Sequence, residues 1–276
     1  FNIGVRHEDI SGSVDNKLLD KLAENTQTIT TPGFGVYRQL TDSLGVLAGI
    51  YMGFSPSGPG QSGAESEESV NVEYGIRYTT TDFSGELIAF ESDYDNLLGR
   101  CRASDSNCQV GQEFSGGNVE VSGIEVTGQG QYELGDTIIL TSQINYTYSE
   151  SKFKSSFFSQ FSQWGLVNEG DELPYVPKHA GRWQVGLESD LWALDLAVKY
   201  QHGMRETPGL GDITEGLHTD NITTVDVSAT WFVNEDVDVK ILARNLTDDS
   251  SIVSHRPYGA RPNLPRTLLA QVKYRF

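Results

Sequence analysis

Arg266-Thr267-Leu268-Leu269-Ala270-Gln271-Val272-Lys273-Tyr274-Arg275-Phe276 sorts its side chains by parity. Leu268, Ala270, Val272, Tyr274 and Phe276 fall on one face, Thr267, Gln271, Lys273 and Arg275 on the other, and only Leu269 breaks the rule. A strand points successive side chains to opposite faces, so this segment needs an apolar medium on one side and water on the other. The same parity runs backward through the chain. Val237, Val239, Ile241 and Ala243 oppose Asp238, Lys240 and Arg244; Val225, Val227, Ala229 and Trp231 oppose Asp226, Ser228 and Thr230. Trp192, Leu194, Leu196, Val198 and Tyr200 alternate with Asp195, Lys199 and Gln201, and Val70, Val72, Tyr74, Ile76 and Tyr78 with Asn71, Glu73, Arg77 and Thr79.

Extended over the whole chain, the pattern predicts twelve strands: 1–9, 34–41, 44–54, 69–80, 83–93, 117–133, 138–150, 180–189, 192–204, 222–232, 237–246 and 266–276. Within 117–133 the phase slips between Val121 and Ile124, which predicts a bulge near Ser122-Gly123. Short turns (42–43, 81–82, 134–137, 189–191, 234–236) alternate with long segments (10–33, 55–68, 94–116, 151–179, 205–221, 247–265) whose Gly, Pro, Ser and charged residues read as loops. Outer-membrane barrels have short periplasmic turns and long extracellular loops. A soluble sandwich also alternates but has no reason to sort its connections this way. The expected fold is therefore all-β, an antiparallel transmembrane β-barrel wall of sequential strands. Trp192 and Trp231 beside short turns, and Tyr146 and Tyr148 toward a long loop, suit interfacial aromatic girdles.

Composition narrows the function classes. With 20 Lys+Arg against 38 Asp+Glu, the net charge of -18 repels nucleic acid. No apolar run is long enough for a transmembrane helix, a test that barrel strands escape. Cys101 and Cys108 sit close together in a polar stretch without further Cys or His, so a disulfide in an oxidising compartment is expected rather than a metal site. Its removal is expected to loosen only the 94–116 loop. Phe1-Asn2-Ile3-Gly4-Val5-Arg6-His7-Glu8 reads as a strand in progress, so a preceding N-terminal part is expected.

The loops carry a more specific signal. Asn245-Leu246-Thr247-Asp248, Ile252-Val253-Ser254, Arg256-Pro257-Tyr258-Gly259-Ala260-Arg261-Pro262 and Pro265-Arg266-Thr267, before a strand reaching Phe276, resemble the end of a TonB-dependent receptor. Thr31-Pro32-Gly33-Phe34-Gly35, Gly53-Phe54-Ser55-Pro56, Asp93-Tyr94-Asp95-Asn96-Leu97 and Gly170-Asp171-Glu172-Leu173-Pro174-Tyr175 are similar to the ferric-citrate-receptor branch. The resemblance covers essentially the whole chain. It implies that residues 1–276 are the C-terminal part of a 22-stranded plugged barrel, with the plug, the TonB-contacting segment and the first barrel strands absent from this sequence. It implies uptake of a ferric chelate, such as iron citrate or another siderophore-like complex, across the bacterial outer membrane. The chelate would be transported ligand, with no covalently bound cofactor; the TonB complex, the barrel-assembly machinery and the lipid bilayer are the implied partners.

Candidate ligand residues are cations placed in loops. Arg205 stands at a loop base before Thr207-Pro208-Gly209; Arg256, Arg261 and Arg266 cluster among prolines; Arg100 and Arg102 flank Cys101. Guanidinium groups suit the carboxylates of an anionic chelate, but they also suit the chain's own abundant acids. Tyr274 and Phe276, at the end of the apolar stripe, are candidate assembly signals. The five histidines show no close ligand pair, and Glu65-Glu67-Glu68 and Asp93-Asp95 do not match a calcium loop. Asn145, Asn221 and Asn245 open glycosylation-type tripeptides too short to carry weight. No catalytic serine motif occurs. The alternatives are a twelve-stranded outer-membrane lipase, with His202 or His218 as base, and a passive porin.

Overall fold

The computed structural model describes residues 1–17, 20–59, 65–103, 105, 108–256 and 258–276, so Pro257 of the arginine-proline cluster lies outside the described residues. Its strands are β1 (Asn2–Asn16), β2 (Lys21–Gln39), β3 (Leu44–Ser55), β4 (Glu67–Thr79), β5 (Phe83–Asp95), β6 (Leu98–Arg100), β7 (Glu113–Ser115), β8 (Val119–Leu134) and β9 (Ile138–Phe153). They continue as β10 (Phe157–Phe158), β11 (Leu166–Val167), β12 (His179–Glu188), β13 (Trp192–Gln201), β14 (Ile222–Phe232), β15 (Val237–Arg244), β16 (Ile252–Ser254), β17 (Arg261–Pro262) and β18 (Thr267–Tyr274).

Twelve of these strands form one antiparallel sheet in strict chain order, β1-β2-β3-β4-β5-β8-β9-β12-β13-β14-β15-β18. The other six pair as β6·β7, β10·β11 and β16·β17 inside three of the long connections. The number and order of wall strands are those read from parity. The sheet is open: among the described residues β1 pairs only with β2, and β18 only with β15.

Registration aligns the two faces across strands. Trp192 lies opposite Trp231, and Leu196 opposite Val227; Val227 in turn opposes Ala243, and Ala243 opposes Leu268. On the other face Arg77 opposes Glu86. The exception Leu269 lies opposite Leu242, so the two shield one another on the polar face. At the end away from the paired tryptophans, Tyr146 and Tyr148 flank His179, with ring centroids 6.2 and 5.2 Å away, and His202 packs against His179 at 5.8 Å. Trp192 and His202 stand ten residues apart on the same face. At about 3.4 Å per residue and a tilt of roughly 40° this spans about 26 Å of height, against an apolar band of about 25 Å.

The structure departs from the sequence reading in the first hairpin, in β8 and at the ends of β13 and β15. Residues 10–16 and 21–33 extend the first hairpin, with Ile10 opposite Gln27 and Val14 opposite Ala23. Gly12, Pro32 and the serines had marked a loop, but Thr26, Thr28 and Thr30 are β-branched and suit a strand. Pro32 falls where β2 has lost its bonds to β3, whose pairing with β2 begins at Gly33, so its missing N–H costs no ladder bond on that side. The expected bulge at Ser122-Gly123 is absent: β8 keeps continuous register with β5 and with β9. The phase slip marks a change of medium. Below Gly123, Ile124 and Val126 face outward; above it, the apolar Val119 and Val121 face inward while Glu120 and Ser122 point out. Finally, β13 and β15 end at Gln201 and Arg244 rather than at 204 and 246. Asn245 enters the left-handed region, with φ 48°, and its side chain bonds the carbonyls of Asp249 and Leu264 at 2.9 and 2.7 Å. An asparagine tolerates that conformation better than most residues, which turns the chain out of the sheet.

Candidate functional site

The long connections meet at one end of the sheet over a small apolar core. Val119 and Phe153, directly opposite one another, are 0% exposed and pack with Phe161, Trp164, Val167 and Leu173. Trp164 meets Phe153 and Phe161 edge-on at 6.4 and 5.2 Å. Gly116 admits that indole, since a Cβ there would come within 2.3 Å of it. At the strand ends above the lipid-facing band, inward-pointing residues thus form a core that holds the loops together.

Beside this core Cys101 and Cys108 are joined as a disulfide, with Cα atoms 6.2 Å apart. Asp105 lies within that ring and is buried. Its carboxylate accepts the Arg102 N–H at 2.7 Å, the Ser162 hydroxyl and Arg256 Nη1 at 3.4 Å. The two sulfurs and Asp105 cluster closely enough to suggest metal ligands, but the disulfide leaves no thiolate to ligate one.

Three consecutive residues of the last long connection each engage a different partner. Ser254 Oγ lies 3.3 Å from the Tyr175 hydroxyl. His255 donates its backbone N–H to Glu206 Oε1 at 2.8 Å, and its Nδ1 sits 3.0 Å from Glu206 Oε2. Arg256 reaches Asp105 and Ser162. Glu206, 2% exposed, also accepts the Tyr175 hydroxyl at 2.8 Å. Burial chiefly raises the Tyr175 pKa, with the Glu206 carboxylate adding to it and the Ser254 hydroxyl opposing. Ser254-His255-Arg256 is therefore a hub binding four connections into one canopy.

The structure disperses the arginines singled out in the sequence. Arg205 is buried, with Nε 2.9 Å from Glu172 Oε2 and Nη2 3.0 Å from the Gly211 carbonyl. Lys178 contacts the other Glu172 oxygen at 2.7 Å. Burial works against ionising Glu172, but hydrogen bonds from Lys178 and Arg205 outweigh it and hold its pKa below the ordinary 4.5. Arg205 thus clasps two loops instead of standing free in a vestibule. Arg266 lies 3.9 Å from Asp248. Arg100, Arg102 and Arg261 are exposed at the canopy surface. Asp93 of the acidic clusters pairs with Lys154 at 2.7 Å, and Glu67 accepts the Leu98 N–H. His218 bonds the Thr219 carbonyl, and no serine hydroxyl contacts it or His202 among the described residues. Asp105 and Glu206 were missed in the sequence, while Tyr175 stood out only as part of the 170–175 motif and His255 only as one of five unclustered histidines; the placement of Asp105 between the two cysteines could have marked it.

The wall and most of its connections fall within the span of one family model. Residues 1–246 match the TonB dependent receptor-like β-barrel. The chain belongs to the TonB-dependent receptor family. Members of this family are outer-membrane β-barrel proteins, receptors and transporters rather than enzymes. The vitamin B12 transporter BtuB of Photobacterium profundum is 24% identical over 220 residues, covering 79% of this chain and 32% of that protein. Among solved structures, the ferric yersiniabactin uptake receptor FyuA of Yersinia pestis superposes with a TM-score of 0.71 at 18% identity, covering 99% of this chain and 42% of that one. The ferric citrate transporter FecA gives 0.72 at 20% identity, with the same coverages. The chain thus spans less than half the length of the receptors it resembles.

Proposed function

We propose that this chain forms twelve strands and the loop canopy of an outer-membrane receptor that imports a ferric chelate with small carboxylate ligands, such as iron citrate. In this reading a plug and the remaining strands of a 22-stranded barrel lie outside residues 1–276, and energy reaches the receptor through TonB. The observation that carries the reading is the canopy: four connections fixed by one hub, with Arg100, Arg102 and Arg261 exposed on them and Arg256 part-exposed between Asp105 and Ser162. Guanidinium groups recognise carboxylates through paired N–H donors. The ferric citrate motifs in the sequence support the same ligand class. Tyr274 and Phe276, whose rings lie edge-on at 4.9 Å, are proposed as the segment that the barrel-assembly machinery reads.

The test is uptake by cells carrying or lacking the full-length receptor, supplied in turn with labelled ferric citrate and labelled cobalamin. Receptor-dependent iron uptake that stops when the proton-motive force is collapsed supports the proposal. Receptor-dependent cobalamin uptake without iron uptake would replace it with the corrinoid reading that the BtuB relative suggests.

A further inference from the structure

We infer that Arg182 and Lys199, facing each other on the inner wall beneath the canopy, form an anion-binding site for a carboxylate-rich ligand. The two residues are direct cross-strand partners in β12 and β13. Among the described residues theirs is the one strand pairing in which both members are cations. Like charges placed opposite one another destabilise a sheet. Elsewhere this wall avoids the problem: Arg77 meets Glu86 across the strands at 2.7 Å, and Arg275 meets Asp238 at 2.6 Å. Neither Arg182 nor Lys199 has an ion pair or a side-chain hydrogen bond among the described residues. In a chain of net charge -18, carboxylates to neutralise them were abundant.

The surroundings are built to receive a polar ligand. The two cations line a groove of about 450 Å³ with Asn145, Gln201, Thr224 and Asn263, within the range of about 300–1,000 Å³ usual for small-molecule sites. Asn145 lies opposite Arg182, and Thr224 opposite Lys199, so hydrogen-bonding side chains flank the charges on both sides. The Asn263 amide nitrogen, from the same connection as the hub, is shut off from solvent with no partner. Arg182 is one residue below the row Tyr146-Gly181-Tyr200, which puts the groove at the canopy end of the wall.

The inference rests on the proposed uptake of an anionic ligand, and the same carboxylate chemistry could come from a diffusible chelate or from another segment of the receptor. Both are separated by titrating ferric citrate and iron-free citrate into the purified full-length receptor, comparing wild type with Arg182→Gln, Lys199→Gln and the double variant, and recording melting temperatures without ligand. The expected result is at least tenfold weaker binding in each single variant, little further loss in the double, and unliganded melting no lower than wild type, because like-charge repulsion has been removed. Binding of iron-free citrate that depends on Lys199, in a receptor that takes up no iron, keeps the site and removes the ferric reading. Ferric citrate binding indifferent to both substitutions removes the site and keeps that reading. No binding of either probe removes both. A lowered melting temperature in the unliganded variants overturns the site as a ligand site, since a carboxylate of the receptor itself would already be neutralising the pair.

Discussion

The wall and the canopy share strands but obey opposite rules. On β8, Ile124 and Val126 point outward and Glu125 and Thr127 inward, whereas a few residues further up Glu120 and Ser122 point outward and Val119 is buried inward. The backbone register does not change between the two stretches. What changes is the medium: hydrocarbon outside and water inside below Gly123, water outside and packed loops inside above it. Hence the wall draws its stability from lipid and the strand ladder, the canopy from a core of six buried side chains and a few charged clasps. Perturbations aimed at one region should spare the other.

The largest expected effect falls on the wall. If the Leu268–Phe276 stripe is read during assembly as proposed, Phe276→Ala in the full-length receptor should cut the amount inserted in the outer membrane several-fold, measured by heat-modifiable mobility on gels. Trp231→Ala, which removes a comparable exposed aromatic, should cost far less. Equal losses would mean that lipid burial alone explains the stripe.

Next comes the canopy core. Phe153→Ala empties a fully buried site, a change that costs about 3–5 kcal/mol in well-packed cores. Limited proteolysis should then cleave the 96–118 and 154–178 connections while the gel mobility of the folded wall stays unchanged. Loss of the folded wall as well would show that the two regions are not separable.

The disulfide sharpens the same contrast. Closing an eight-residue ring contributes about 2.5 kcal/mol in the chain-entropy estimate. The sequence alone suggested that only the 94–116 loop would loosen without it. Because Asp105 sits inside the ring and holds Ser162 and Arg256, Cys101→Ser with Cys108→Ser should instead raise hydrogen exchange in three connections, including 247–265. Exchange confined to residues 94–116 would restore the simpler view.

The difference in legibility between the regions has the same physical origin. Parity exposes the wall because one chemical rule, apolar to lipid and polar to water, holds for every second residue. It failed at 10–33, where Gly12, Pro32 and the serines outweighed a run of threonines, and at Ser122-Gly123, where a change of solvent imitated a change of register. The canopy follows no period. His255 meets Glu206 across 49 residues, and Arg256 meets Asp105 across 151. Arg205 was visible as a loop-base cation, but nothing local told that Glu172 would bury it. Arg182 and Lys199 read as ordinary polar-face residues until the register set them face to face.

The smallest expected effect concerns that Glu172 clasp, and its sign follows from the direction of the shift. Hydrogen bonds from Lys178 and Arg205 hold the folded Glu172 pKa below the ordinary 4.5 despite opposing burial. A carboxyl with a depressed folded pKa contributes stability that is fully present above its unfolded pKa and is lost as pH falls through the folded one. Protection of the 154–178 and 202–221 connections against an acid-active protease should therefore be level from neutral pH down to about 5 and should decline below about 4.5. Carboxylates elsewhere in the chain protonate in the same acidic range, so the wild-type curve alone does not isolate this clasp. Glu172→Gln does: the amide cannot ionise, leaving Arg205 buried without its counter-charge at every pH. The variant should start less protected at neutral pH, and its difference from wild type should shrink as acid neutralises Glu172 in the latter. A difference that stays constant down to the acid limit would mean that the clasp acts through packing rather than charge.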